Sequence, residues 1–335
     1  MKILVTGAAG FIGSHTCVEL LKAGYEVVGI DNFCNSQRDV LDKIKAICNK
    51  SIAFYEGDVE DENLLNRILD EHEIGAAIHF AGLKAVGESV AKPLEYYKNN
   101  LLSTINLCFA LRSYNVKKII FSSSATVYGN PASVPIKEDF PLSTTNPYGA
   151  TKLMSEDILQ DVAKSDQEWH ISLLRYFNPI GAHESGLLGE HPNGIPNNLM
   201  PYIVQVASGE LPNLNIFGDD YSTVDGTGVR DYIHVVDLAK AHVKAIDGLL
   251  VTSGVQIYNI GTGKGYSVLE IVKAFAAATC VRIPYKITPR RPGDIAECYA
   301  DSTKAERELG WRAEKDIEDM CKDSWNFWLK TKTNI

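Results

Sequence analysis

Apolar residues along the chain fall into short dense runs separated by stretches with helical spacing. Residues 2–6 (Lys-Ile-Leu-Val-Thr) read as a buried strand, followed by an amphipathic helix to about residue 22 and a second strand at 25–30. Further strands are expected at 52–56, 76–80 and 118–122, with a polar-faced helix at 60–71 and a long helical stretch at about 93–114 between them. Beyond Pro147 the apolar positions Leu153, Met154, Ile158, Leu159 and Val162 recur at helical spacing. Pro147 suits a first turn, where its missing N–H costs nothing, and Asn146 can cap the orphan donors before it. A strand at 170–176 follows. Strands alternating with helices predict an α/β fold with a parallel, doubly wound sheet, whose ligands sit beyond the carboxyl ends of the strands. After residue 176 the pattern loosens into loops rich in Pro, Gly and Asn. Helices are expected at 199–208, 235–249 and 267–278, the last opened by a Ser267/Glu270 capping box. Residues 256–260 read as a strand returning to the parallel sheet.

At 335 residues the chain favours two lobes, 1–176 and 177–335, with 235–260 rejoining the first. A formal charge of −9 argues against nucleic acid or an anionic membrane as a main partner, so an anionic ligand needs local arginines and backbone N–H groups. Seven cysteines without a CxxC pair point to a reducing compartment, and eight histidines without ligand spacing give a metal site no support. The opening apolar run is too short for a signal peptide and no later run reaches membrane-spanning length, so a cytoplasmic protein is expected.

The first strand runs straight into Gly7-Ala-Ala-Gly10-Phe-Ile-Gly13. Glycines so spaced permit a tight turn and let backbone approach a pyrophosphate at the helix N-terminus, where N–H groups and the helix dipole favour anions. Asp31, eighteen residues past Gly13, stands where a carboxylate accepts from both ribose hydroxyls and repels a 2′-phosphate, which favours NAD over NADP. Strand, glycines, helix, strand and acid in this order predict a Rossmann dinucleotide site. Asp58, the segment from Phe80 to Lys84, and Ser122 to Ser124 all fall at expected strand ends. Asn99 is a polar position within the long helix, either a contact or a solvated site. Tyr148 and Lys152, four apart, leave the same helical face; a cation beside a phenol favours the phenolate, which can take a proton from a substrate hydroxyl. Ser124, after the fifth strand, can hydrogen-bond that hydroxyl and relay its proton.

These segments resemble the extended short-chain dehydrogenase/reductase family. The resemblance rests on the glycine loop, on Asp31-Asn-Phe-Cys-Asn-Ser36, on His79-Phe-Ala-Gly-Leu-Lys-Ala-Val-Gly-Glu-Ser89, on Ser122-Ser-Ser-Ala-Thr-Val-Tyr-Gly129 and on Tyr148-x-x-x-Lys152. Leu174-Arg-Tyr-Phe-Asn-Pro179, Gly194-Ile-Pro-Asn-Asn-Leu-Met-Pro201 and Asp225-Gly-Thr-Gly-Val-Arg-Asp-Tyr-Ile-His234 extend it over nearly the whole chain, and more narrowly toward the 4-epimerases of UDP-glucose and UDP-galactose. It implies Ser124, Tyr148 and Lys152 as the catalytic triad. For the cofactor NAD it implies Gly7, Gly10, Phe11, Ile12 and Gly13, then Asp31, Asn32, Phe33, Cys34, Asn35 and Ser36, then Asp58 and Val59. Phe80, Ala81, Gly82, Leu83, Lys84, Asn99, Ser122 and Phe177 complete that set with the triad.

For a UDP-hexose, Arg230 and Arg291 offer planar forks that match phosphate oxygens, Asn178 and Asn198 can hold sugar hydroxyls, and Asp294 can grip the ribose. Asn215, Ile216 and Phe217 can present backbone groups and an aromatic face to a uracil. Loop arginines and asparagines are commonly just solvated, but each of these falls on a position where the resembling family binds UDP-hexose; Leu199, beside Asn198, joins them by resemblance. The implied reaction is reversible inversion at C4 through a 4-keto sugar. Tyr148 carries the proton, Ser124 and Tyr148 touch the sugar, and Lys152 holds the nicotinamide ribose and, with the positive nicotinamide, lowers the Tyr148 pKa. The resembling 4,6-dehydratases carry Asp and Glu where this chain has Ala125 and Thr126, which counts against that rival; a non-catalytic NAD-binding sensor would have no use for the triad. In the family a tyrosine at the position of Cys298 goes with plain hexoses and a small residue with N-acetylhexosamines as well, so Cys298 implies the wider range, unless Tyr299 closes the pocket. The helices at 93–114 and after Tyr148 pair two subunits in the family, which implies a homodimer.

Overall fold

The computed structural model describes residues 1–191, 196, 198–291 and 293–333. In chain order the first half comprises β1 (Lys2–Thr6), α1 (Phe11–Lys22), β2 (Glu26–Asp31), α2 (Val40–Cys48), β3 (Ala53–Glu56), α3 (Glu62–Glu71), β4 (Ile74–His79), α4 (Val86–Ala91), α5 (Pro93–Ser113), β5 (Lys118–Ser124), α6 (Pro147–Ser165) and β6 (His170–Tyr176). The second half comprises β7 (Asn178–Ile180), α7 (Leu199–Ala207), β8 (Leu214–Phe217), β9 (Val229–His234), α8 (Val235–Leu249), β10 (Gly254–Ile260), β11 (Gly265–Ser267), α9 (Val268–Thr279), β12 (Tyr285–Thr288), β13 (Glu297–Cys298), α10 (Thr303–Leu309) and α11 (Ile317–Thr333).

Among the described residues seven strands form one parallel sheet in the order β10-β6-β5-β4-β1-β2-β3. Both faces are covered, which is why β1 and β6 are buried at successive rather than alternate positions. On one face Val18, Leu20 and Leu21 of α1 and Leu238, Ala241 and Ala245 of α8 pack on Ile3, Val5 and Ile78. On the other, Leu65, Leu107, Leu111 and Leu159 from α3, α5 and α6 cover Leu4, Ala77 and Ile119. Burying such a side chain fully contributes about 1.5–3 kcal/mol, and these two layers hold the sheet between helices. From β1 the chain steps outward to β2 and β3, then returns to β4 on the other side of β1. The switch point of the sheet, where such folds bind ligands, therefore lies between β1 and β4.

The return of 256–260 is realised as β10, paired with β6 from Gly254 opposite His170 to Ile260 opposite Tyr176. The smaller lobe has its own core of Met200, Ile203, Ile271, Phe275, Met320 and Trp328. Its central strand β9 pairs with β7, β11 and β13, and β8 pairs with β12. The Ser267/Glu270 capping box on α9 is present in full. Several strand limits differ by a residue or two from the sequence reading, β10 for one starting at Gly254 rather than 256. β4 starts at Ile74 rather than 76, and β5 continues through Ser124 because Ser122, Ser123 and Ser124 keep their pairing with Leu174, Arg175 and Tyr176.

Candidate active site

The glycine loop closes the switch point. Gly7 has φ +69°, and a side chain there would put its Cβ 2.9 Å from the Ala81 nitrogen in the segment after β4. A Cβ on Gly13 would run into the Gly7 carbonyl, so α1 can begin this close to the loop only with glycine. Ala81 N–H donates to the Thr6 hydroxyl at 3.2 Å, tying the ends of β1 and β4 together. Asp31, buried at the end of β2, accepts from Ala9 N at 3.0 Å through one oxygen, and from Phe33 N and Ser36 Oγ, both at 2.9 Å, through the other. Its carboxylate is thus locked against the glycine loop. Asn32 donates to Asp58 at 2.9 Å, and Phe33 packs on Phe54 with ring centroids 5.3 Å apart. Gly10, Phe11 and Ile12 lie half-buried at the start of α1; Cys34 and Asn35 are exposed, and Val59 is buried. Phe80 stacks on His242 at 4.7 Å, while Gly82 and Lys84 are exposed. This cradle, which no Cβ could enter, and the fixed carboxylate beside it fit a dinucleotide.

Asn99 is half-buried on α5. Its neighbour Asn100 does more: it accepts from Leu83 N at 2.8 Å, donates to Leu83 O at 3.0 Å and donates to Thr151 at 2.9 Å. A polar residue at a core-facing position of α5 was the available signal for it.

Ser124 ends β5 and caps a short 3-10 turn, Ala125–Tyr128; its Oγ accepts from Thr126 N at 3.2 Å and from the Thr126 hydroxyl at 3.0 Å. Asn146 caps α6 by accepting from Gly149 N at 2.8 Å, and so places Tyr148 in the first turn, where the phenol faces the Ser124 hydroxyl. Burial pushes the Tyr148 phenol above its ordinary value, and the Ser124 hydroxyl pulls the other way. Lys152 donates to the Ser122 carbonyl at 2.6 Å, lies over Phe121 at 4.9 Å, and stands 6.0 Å from the Tyr148 ring centroid. Burial lowers Lys152 to about 8, against the opposing charge of Glu156. The ammonium is therefore committed to the strand end, and burial rather than Lys152 dominates the phenol in the free protein.

On the other lobe, Arg291 lies over Phe217 at 4.7 Å and is held by Asp294 at 3.0 Å, so these three residues form one cluster. The pairing of β8 with β12 brings Phe217 beside Thr288, just before the arginine pair Arg290-Arg291. Asn215 is half-buried, and Ile216 is buried whole, its carbonyl accepting from the Thr288 hydroxyl at 3.1 Å. Arg230 folds onto the Val229 carbonyl at 2.8 Å. Tyr221, missed in the sequence, stacks under Arg290 at 3.9 Å, and its buried hydroxyl has no partner among the described residues. Asn178 is exposed on β7, Phe177 is buried beside it, and Leu199 is half-buried. Asn198 donates to Glu190 at 2.7 Å, and Lys84 bonds the same carboxylate oxygen at 3.1 Å. Glu190 thus joins the two lobes, a role nothing in its sequence context announced. Gly194, Ile195 and Asn197 of the quoted motifs lie outside the described residues.

Cys298 sits opposite Arg230 in the β13–β9 register and is buried with Val127, Tyr128, Phe177 and Ala300. It therefore lies between an arginine and the turn that follows Ser124. Tyr299 faces the other way, its ring 3.0 Å from where a Gly265 Cβ would stand. The buried Asp231 carboxylate fixes this strand by accepting from Ala300 N at 3.1 Å and Thr262 N at 2.8 Å.

Residues 4–324 match a family model described as GDP-mannose 4,6 dehydratase. The chain is 60% identical over 334 residues to a UDP-glucose 4-epimerase of Bacillus subtilis, covering all of this chain and 98% of that one. It superposes with TM-score 0.97 on UDP-glucose 4-epimerase from Bifidobacterium longum in complex with NAD+ and UDP, at 58% identity and full coverage of both chains. A UDP-Glc/GlcNAc 4-epimerase from Campylobacter jejuni matches with TM-score 0.85 and 35% identity, over 98% of this chain and 99% of that one.

Proposed function

The chain belongs to the UDP-glucose 4-epimerases, NAD-dependent isomerases, and on that footing we propose that it inverts C4 of UDP-glucose and UDP-galactose at the strand ends around Ser124. The observation that carries this reading is the convergence of Ser124, Tyr148 and Lys152 beside the glycine cradle. Bound NAD⁺ supplies the acceptor, and then the donor, of the two electrons exchanged at C4. Tyr148 holds the proton of the C4 hydroxyl, Ser124 orients that hydroxyl and passes its proton to the phenol, and Lys152 braces the strand end and takes the cofactor ribose. Asp31 accepts from the adenosine ribose and repels a 2′-phosphate. Arg230, Arg291 and Asp294 grip the UDP, Phe217 faces the uracil, and Asn178 and Asn198 meet the sugar. So anchored, the 4-keto sugar can turn over without leaving.

Thr126 hydroxyl donates to Ser124, and with Ala125 it leaves no acid–base pair there for water loss. The buried, small Cys298 leaves room for an N-acetyl group, so the range extends to UDP-N-acetylglucosamine and UDP-N-acetylgalactosamine. Leu94, Leu102 and Phe109 of α5 and Met154 of α6 are exposed and apolar on helices that pack on each other, and they form the face on which two copies pair. Residues 1–176 with 235–260 make the NAD-binding domain and the rest of 177–335 the substrate domain, working in the cytoplasm. Incubation of the purified protein with UDP-galactose and no added NAD⁺, followed by separation of the sugar products, should yield UDP-glucose. A 4-keto-6-deoxy product, or none, refutes the reading.

A further inference from the structure

Directly behind the catalytic group lies an ion pair shut away from water. Glu156 and Arg175 are 0% and 1% exposed, and the guanidinium spans the carboxylate with Nε 2.9 Å from Oε1 and Nη2 2.6 Å from Oε2. Tyr148, Lys152 and Glu156 stand at successive turns of α6, so all three share one helical face. The pair reaches every element that carries the triad. Ser123, the residue before Ser124, donates to Glu156 Oε1. Arg175 Nη1 donates to the Tyr128 hydroxyl at 2.9 Å and to the Glu138 carbonyl at 3.1 Å. Tyr128 closes the turn that Ser124 caps, and its hydroxyl donates to Asn259 of β10 at 2.7 Å. Replacing a buried ion pair with apolar residues of similar volume is often neutral or stabilising, so fold stability alone does not call for charges here.

We propose that Glu156 and Arg175 form a positioning unit for the reaction. Through Ser123 and Tyr128 the pair fixes the strand end and turn that hold Ser124. The carboxylate, one turn beyond Lys152, keeps that lysine a cation. The proposal rests on the epimerase reading and adds to it two residues that touch neither sugar nor cofactor.

The surroundings of Lys152 support the second half. From α6 it faces Tyr148 and Glu156 and from β4 His79; Tyr176 of β6, whose hydroxyl bonds His242, lies by Ser122, the residue whose carbonyl Lys152 holds. His79 is held neutral by burial, at about 3, and Tyr176 is pushed well above the ordinary phenol value, so neither offers a negative charge. Among the described residues Glu156 is the anion that acts on Lys152. Glu156 itself faces Arg175 and Tyr128, with Asp157 beside it on α6. Burial favours loss of the Lys152 proton, and the carboxylate works against that.

Two variants of the full enzyme test this, assayed with UDP-galactose across pH. Glu156→Gln/Arg175→Met removes both charges together, so no buried ion is stranded, and keeps an amide for the Ser123 hydroxyl. Its kcat should fall about tenfold with KM within about twofold, and the alkaline limb of its kcat profile should move to lower pH, since Lys152 now deprotonates sooner. Ser123→Ala deletes one hydroxyl and leaves the ion pair whole. It should lower kcat about threefold or more with the alkaline limb in place. A folded double variant with the unmodified enzyme's kcat and alkaline limb overturns the proposal. If the double variant does not fold, Ser123→Ala decides, and an unchanged kcat there overturns it. Failure of the epimerase reading is a separate result, seen as an unmodified enzyme that leaves UDP-galactose unconverted.

Discussion

A phenol serves as a base only where its surroundings favour the anion, and around Tyr148 they are divided. Burial raises its pKa, while the Ser124 hydroxyl facing it works the other way. The Lys152 ammonium, 6.0 Å from the ring centroid, is close enough to favour the anion though it is bonded to Ser122. Tyr148→Phe removes the proposed proton carrier and little volume, so turnover of UDP-galactose should drop about a thousandfold or more while UDP binds about as before by calorimetry. Full activity in that variant would sink the assignment. Lys152→Ala should also lose most activity. With the cation gone the phenol ionises at higher pH, so the residual kcat should peak above the optimum of the unmodified enzyme; a downward shift would show that Lys152 does not favour the phenolate.

Elements act on the site through a few buried polar joints. Asn100 of α5 satisfies both backbone groups of Leu83 and reaches Thr151 of α6, joining the segment after β4 to the catalytic helix. Asn100→Ala strands those groups, at a cost of about 1–3 kcal/mol in urea unfolding, and should release NAD faster from an otherwise native fold. A variant as stable as the unmodified protein would mean that water replaces the amide. Such joints mark where sequence reading stops. β1, β2 and α6 were legible because apolar runs, glycines and an Asn-Pro cap signal them locally. The Ser122–Ser124 stretch hides a strand in hydroxyls, since only its register with β6 makes it one. Glu156 and Arg175 sit nineteen residues apart on different elements, and Lys84 and Glu190 lie 106 apart. No local pattern links such partners; the folded sheet does. Of the substrate side, the arginines and asparagines stood out as residue types, but the stacking of Arg291 on Phe217 and of Arg290 on Tyr221 depends on the β8–β12 pairing.

At the scale of the molecule, the reaction asks one lobe to hold the cofactor rigidly and the other to grip UDP while the hexose swings between. On the proposed reading, room for that swing is set where β13 of the small lobe meets the Ala125–Tyr128 turn of the large one; Cys298 stands at that seam. Burial pushes its thiol up to about 11, so it brings bulk but no charge. Val127, Phe177 and Ala300 already pack closely around it, and Asp231 pins the strand through Ala300, so the seam cannot open to admit a larger side chain without intruding on the sugar. A phenol at 298 would project into the volume that an N-acetyl group at C2 sweeps as the ring turns, whereas a plain hydroxyl at C2 needs far less. Cys298→Tyr should therefore abolish interconversion of UDP-N-acetylglucosamine and UDP-N-acetylgalactosamine, and leave that of UDP-glucose and UDP-galactose within about tenfold, as read by chromatography of both product pairs. Cys298→Ala should keep both pairs. If the unmodified enzyme converts only the plain hexoses, space at Cys298 is not what sets the range. If Cys298→Tyr loses both pairs alike, the tyrosine has disturbed the seam itself rather than closed a gate.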